Sequence, residues 1–150
     1  MYSYLDRPIA SLDEGGKVLV WAMRRWVVAV EKRTCPVAAL GMALSERGLM
    51  PALAPFHRVM GLLATHARQD LPFSPFCSPH VSEGEAVLLA VISNCRGPRA
   101  HTLETTLFLL VGEEGRASMH DAILQLGEAL DRAGMLPAVP APLASRASPD

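Results

Sequence analysis

The chain has no surplus of basic charge. Fourteen lysines and arginines stand against fifteen aspartates and glutamates in 150 residues, a formal net charge of −1. Binding to nucleic acid or to an anionic membrane draws on a basic excess or a basic face. Only Arg24-Arg25 and Lys32-Arg33 cluster, so nucleic acid is not an expected partner. Cysteine is sparse and odd in number: Cys35, Cys77 and Cys95. Three cysteines make no disulfide framework, and the count suits a reducing cytoplasm. The most apolar segment, VLVWAMRRWVVAV, is too short for a bilayer and is broken by two arginines, so no membrane span is expected. The opening MYSYLDRP has no basic region followed by an apolar run, so no signal peptide is expected. Catalytic signatures are missing as well. There is no G-x-S-x-G, no phosphate-cradling glycine loop and no H-E-x-x-H.

What remains is a helix-forming, core-forming chain. Half of its residues are hydrophobic and 19% are charged, a balance that folds rather than stays disordered. The length suits one domain. Residues 1–10 read as a loosely held arm in which Tyr2, Tyr4 and Ile9 dock on the core. Residues 11–135 read as the helical domain. Residues 136–150, rich in proline, alanine and serine, read as a disordered tail.

Six helices are predicted. The first, about 12–33, opens with a Ser11–Glu14 capping box and carries the stripe Leu19, Met23, Trp26, Val27 and Val30. It is apolar nearly all round and holds both tryptophans, which makes it the central helix. Gly15 and Gly16 weaken its first turn, and close packing against a neighbour is the plain reason for them. The second runs about 36–47, started by Pro36 and stopped by Gly48. The third ends near Gln69 and carries the seam Leu53, Phe56, Met60, Leu63 and Ala67. A proline-rich loop, residues 70–80, follows, with Phe73 and Phe76 plugged into the core. The fourth, about 82–96, opens with a Ser82–Glu85 capping box and turns Leu88, Leu89, Ile92 and Cys95 inward. The fifth, 98–111, ends at Gly112; its TTLFLLV also reads as a buried strand, but no partner strand is in sight. The sixth starts at Ser118, carries Met119, Ile123, Leu126, Leu130 and Ala133, and closes at Gly134 with Met135 packing back. The fold class is all-α, a single-domain bundle or orthogonal array.

Chemistry-bearing residues are few. Cys77 and His80 form a C-x-x-H pair of metal-ligating types, with Cys95 further on. Thirteen helical rises separate Ser82 from Cys95, about 20 Å, so Cys95 joins that pair only if the loop folds back. Haem is the other cofactor weighed, held by His57 or His66 or by a thiolate of Cys35 or Cys77. His57 and His66 are nine apart and lie about 180° from one another around a helix, so one pocket cannot take both. No cofactor is the expectation. Arg24 and Arg25 are the polar residues of the central helix, and guanidiniums there need a carboxylate, a phosphate or solvent; they are the candidate interaction residues.

Two short resemblances can be stated on their residues. AHTLET, residues 100–105, resembles the phosphorylatable segment of histidine phosphotransfer domains, which implies His101 as phospho-acceptor. The chain departs from that pattern at Glu104, where the family has a positive charge, and at Thr105, where it has glycine. LDEGGKVLVWAMRRWV, with the later Cys77-x7-EAVLLAVI, resembles a group of small helical bacterial proteins of unknown function. That resemblance covers about residues 11–135 and implies a compact bacterial cytoplasmic domain with no stated activity. The functional expectation is a non-enzymatic helical protein that binds a protein partner or itself, a homodimer being the commonest oligomer. The alternative is a metal-, haem- or redox-cofactor protein.

Overall fold

The computed structural model of the chain describes residues 3–140. Five α-helices account for most of it: α1 (Glu14–Glu31), α2 (Pro36–Glu46), α3 (Met50–His66), α4 (Glu83–Asn94) and α5 (Leu103–Arg132). Among the described residues there is no strand, only an isolated bridge between Pro8 and His80. The all-α expectation holds, and TTLFLLV is helical.

Among the described residues the helix count is five rather than six, and the reason is Gly112. Its φ of 73° and ψ of −177° lie outside any helix, yet helical hydrogen bonding resumes at once on the far side. The result is one element with a sharp bend. Glu104 pairs with Arg116 and with His120, residues that a straight helix would carry about 18 and 24 Å away. The two arms of α5 therefore fold toward each other across the bend.

The other ends follow local chemistry. α1 begins at Asp13, whose carboxylate accepts from the Gly16 N–H at 2.8 Å. The expected Ser11 cap is not made: Ser11 sits in a 3-10 turn and donates to the Pro8 carbonyl. α1 ends through Arg33 at φ 56°, a left-handed residue that lets the Thr34 N–H reach the Ala29 carbonyl. Gly48 and Gly134 close α2 and α5 in the same way, with Leu49 N–H on Leu44 and Met135 N–H on Leu130. The Ser82–Glu85 capping box of α4 is formed.

The helix contacts make a closed circuit. α1 packs on α2, α2 on α3, α3 on α5, α5 on α4, and α4 back on α1. Leu19, Met23 and Trp26 of α1 are buried as expected, but Val27 is half-buried and Val30 is exposed. Leu53, Phe56, Met60 and Leu63 of α3 form its seam, while Ala67 lies past the helix end and is exposed. Leu107, Met119, Ile123 and Leu126 of α5 and Leu88, Leu89 and Ile92 of α4 fill the middle.

From Tyr4 to Ile9 the N-terminal arm is held, not loose. Tyr4 is 1% exposed, and residues 6–9 bond the loop before α4 through Asp6 N–H to Val81, Val81 N–H to Arg7 and Ile9 N–H to Pro79. The beginning of the expected tail is held too. Pro137 is buried, the Tyr4 hydroxyl donates to the Ala138 carbonyl at 3.0 Å, and the Ala138 N–H donates to Asp13 at 2.9 Å. Tyr2 and residues 141–150 of that tail lie outside the described residues.

Candidate functional site

Arg24, on the inner face of α1, is 4% exposed, and Glu85, in the first turn of α4, is fully buried. They form a two-pronged ion pair, Nε to Oε2 at 2.8 Å and Nη2 to Oε1 at 3.0 Å. The remaining guanidinium protons go to the carbonyls of Ser78 at 2.8 Å, His80 at 3.0 Å and Phe76 at 3.5 Å. Glu85 in turn accepts from the backbone N–H groups of Ser74 and Ser82. Every donor of the arginine and four acceptor directions of the carboxylate are thus used. A buried pair is tolerable only when its hydrogen bonds are complete in this way. Its effect is to hold the proline-rich loop, residues 71–82, in one shape. Arg24 is therefore bound within the fold, and Arg25, the next residue, is exposed.

The loop presents Phe76 and Cys77 outward, so Phe73 is the aromatic that packs on the core and Phe76 is not. Cys77 and His80 are exposed. Cys95 is buried at the end of α4, where its sulfur faces Gly127 of α5. Burial pushes its thiol pKa up. Among the described residues no three His, Cys, Asp or Glu side chains gather as a ligand set. His57 accepts a hydrogen bond from the Trp26 indole at 3.0 Å, His66 lies against Gly115, and His101 bonds the Pro98 carbonyl in the 3-10 turn before α5.

The feature that residue-by-residue reading missed is a charge-poor stretch of exposed chain. From Thr34 to Phe56 only Glu46 and Arg47 carry charge. A helix as apolar as α2 is ordinarily covered on most sides, yet only Leu40 and Leu44 of it are buried. Val37, Ala38 and Met42 face outward, Met42 at 77% exposure. Met50, Pro51 and Ala54 of α3 are exposed beside it in the chain. The signal was present in the sequence as a gap in charge rather than as a motif. A second apolar feature, a groove of about 290 Å³ lined by Leu5, Val87, Leu109 and Leu110, includes Glu83 and Gln69 in its wall.

No protein-family model, no curated protein and no solved structure matches this chain.

Proposed function

We propose that this is a helical interaction protein that docks another protein chain on the face formed by α2 and the first turns of α3. The observation that carries the reading is the outward set Val37, Ala38 and Met42 on a stretch of α2 without charge, Met42 being 77% exposed. The cores of protein interfaces are depleted in charge and enriched in methionine, and methionine adapts its shape to a partner. Exposed apolar side chains grouped on one helix mark interaction sites where scattered ones do not. The buried ion pair supplies rigidity elsewhere in the fold.

Photo-crosslinking tests this in the cells that make the protein. A benzophenone amino acid replaces Met42 in one variant and Glu114, an exposed residue at the bend of α5, in a second. Protein adducts are expected from position 42 and not from position 114. The absence of an adduct from position 42 overturns the reading.

A further inference from the structure

We propose that α5 is a hinge through which two copies of this chain exchange their C-terminal arms. In the closed monomer Gly112 bends α5, and the second arm, from residue 113 onward, packs on its own chain. In the exchanged dimer Gly112 turns helical, α5 runs straight, and that arm packs on the second copy. The inference goes beyond the docking reading and does not use the α2 face.

A bend without a loop carries it. Gly112 is the one residue of α5 whose backbone is not helical, at φ 73° and ψ −177°. Two dihedrals of one residue therefore separate the bent helix from a straight one. Short hinges forced to turn sharply favour exchange, because opening relieves the turn. Opening also restores helical hydrogen bonds. A bend leaves carbonyls of the first arm and N–H groups of the second without helical partners. The Leu110 carbonyl takes the Arg68 N–H instead, at 3.0 Å.

The exchanged interface needs no new complementarity, because the second arm remakes its existing contacts on the other copy. Glu104 again meets Arg116 and His120, Arg58 meets Asp121, and Cys95 packs on Gly127. New surface forms only at the hinge, where two straight α5 helices cross. There Phe108, Gly112 and Gly115 fall within about 60° of one another around the helix, with Leu109 at the edge. Phe108 and Leu109 are exposed in the closed form, Leu109 at 61%, and the crossing covers them. The two glycines set the balance. A Cβ at Gly115 would stand 3.0 Å from that of Val111 and 3.2 Å from that of His66 in the closed form, so glycine there favours the bend. Both glycines weaken a straight helix. The closed monomer is thus the form in dilute solution, where an opened chain has no second copy to close on, and the dimer gains with concentration.

Refolding the full chain from urea at low and at high concentration, followed by size exclusion with light scattering, reads this out. Monomer is expected from dilute refolding and a growing share of dimer from concentrated refolding. Gly112→Ala disfavours the bend at both hinges of a dimer and should lower the dimer Kd by about 30-fold or more. Three residues inserted after Gly112 give the turn a loop and should abolish the dimer; this variant keeps the test sharp if the alanine chain folds poorly. Spin labels at the exposed positions Thr105 and Glu128, in a chain carrying Cys35→Ser and Cys77→Ser, report the state of α5. The labelled chain is refolded with an excess of unlabelled chain, so that each dimer holds one labelled copy. Twenty-three helical rises, about 35 Å, should separate the labels in the dimer, and a shorter distance in the monomer. A wild-type chain that refolds only as monomer overturns the inference. So does a dimer that keeps the monomer's label distance, or one that survives the lengthened hinge.

Discussion

At the scale of single residues, the fold turns on Arg24 and Glu85. Removing one member of a buried, fully bonded ion pair leaves the other charge stranded, at a cost of about 3–5 kcal/mol. Glu85→Gln is expected to lose that much in urea unfolding. The loop from Ser74 to Ser82 should become the first site of proteolysis, because its backbone bonds to Arg24 and Glu85 go with the pair. Replacing both by apolar residues of similar volume should cost less than the sum of the single changes, and a double-mutant cycle measures the difference. The sequence marked both residues for partial reasons. Glu85 was visible as the acid of a capping box, and it is one. Arg24 was visible as a cation on an apolar helix in need of a carboxylate. Joining them required knowing that α4 crosses α1 at that height, a contact between residues 61 apart that no local pattern encodes. The cysteines separate by burial in the same way. Cys35 and Cys77 are exposed and Cys95 is 2% exposed. A thiol reagent should titrate two groups in the native protein and the third only on unfolding.

At the scale of elements, helix ends were legible where glycine supplies the turn and illegible where another residue does. Gly48 and Gly134 end α2 and α5 as the sequence implies. Arg33 takes the same left-handed conformation at the end of α1, and nothing about an arginine announces it. Arg33→Gly is expected to stabilise the monomer in dilute solution by up to about 1 kcal/mol, since a side chain in that region is strained. Gly112 shows the converse. It reads as a terminator and occupies a backbone region essentially closed to other residues, but the chain re-enters a helix beyond it. Gly112→Ala should cost about 1–3 kcal/mol and splay the two arms, separating Glu104 from Arg116 and His120. A fall in thermal midpoint with loss of the pairing in NMR side-chain spectra checks this. Gly15 is a third case. The sequence correctly gives close packing as its reason, but the neighbour is the carbonyl of Met135, only 2.0 Å from where a Cβ would stand. That neighbour lies 120 residues away, beyond the reach of any periodicity.

At the scale of the whole molecule, the two ends of the domain close on each other, and this closure buries titratable groups. Tyr4 lies under Ala138 and Cys95 between α4 and α5, and burial raises the pKa of each above its ordinary value of 10.0 and 9.0 respectively. No local pattern announces the first contact, because a proline-rich segment reads as tail until a tyrosine 134 residues away is seen to hold it. The sign of the linkage is fixed by the direction of the shifts. A group whose folded pKa is raised contributes stability that is fully present below its unfolded pKa and lost as pH rises through the folded value. Above about pH 9 the unfolded chain releases the Cys95 proton while the native chain retains it, so the native state binds more protons and stability falls. Tyr4 adds to the decline from about pH 10. Unfolding free energy should therefore be nearly level toward pH 9 with respect to these groups and then drop by up to about 1.4 kcal/mol per pH unit for each. Cys95→Ala should remove the earlier part of the drop and leave the later part, whatever it does to stability at neutral pH. Urea titrations of the two proteins from pH 7 to pH 11 test this. Parallel curves would mean that the Cys95 thiolate is as well solvated in the native state as in the unfolded one, contrary to its burial against Gly127.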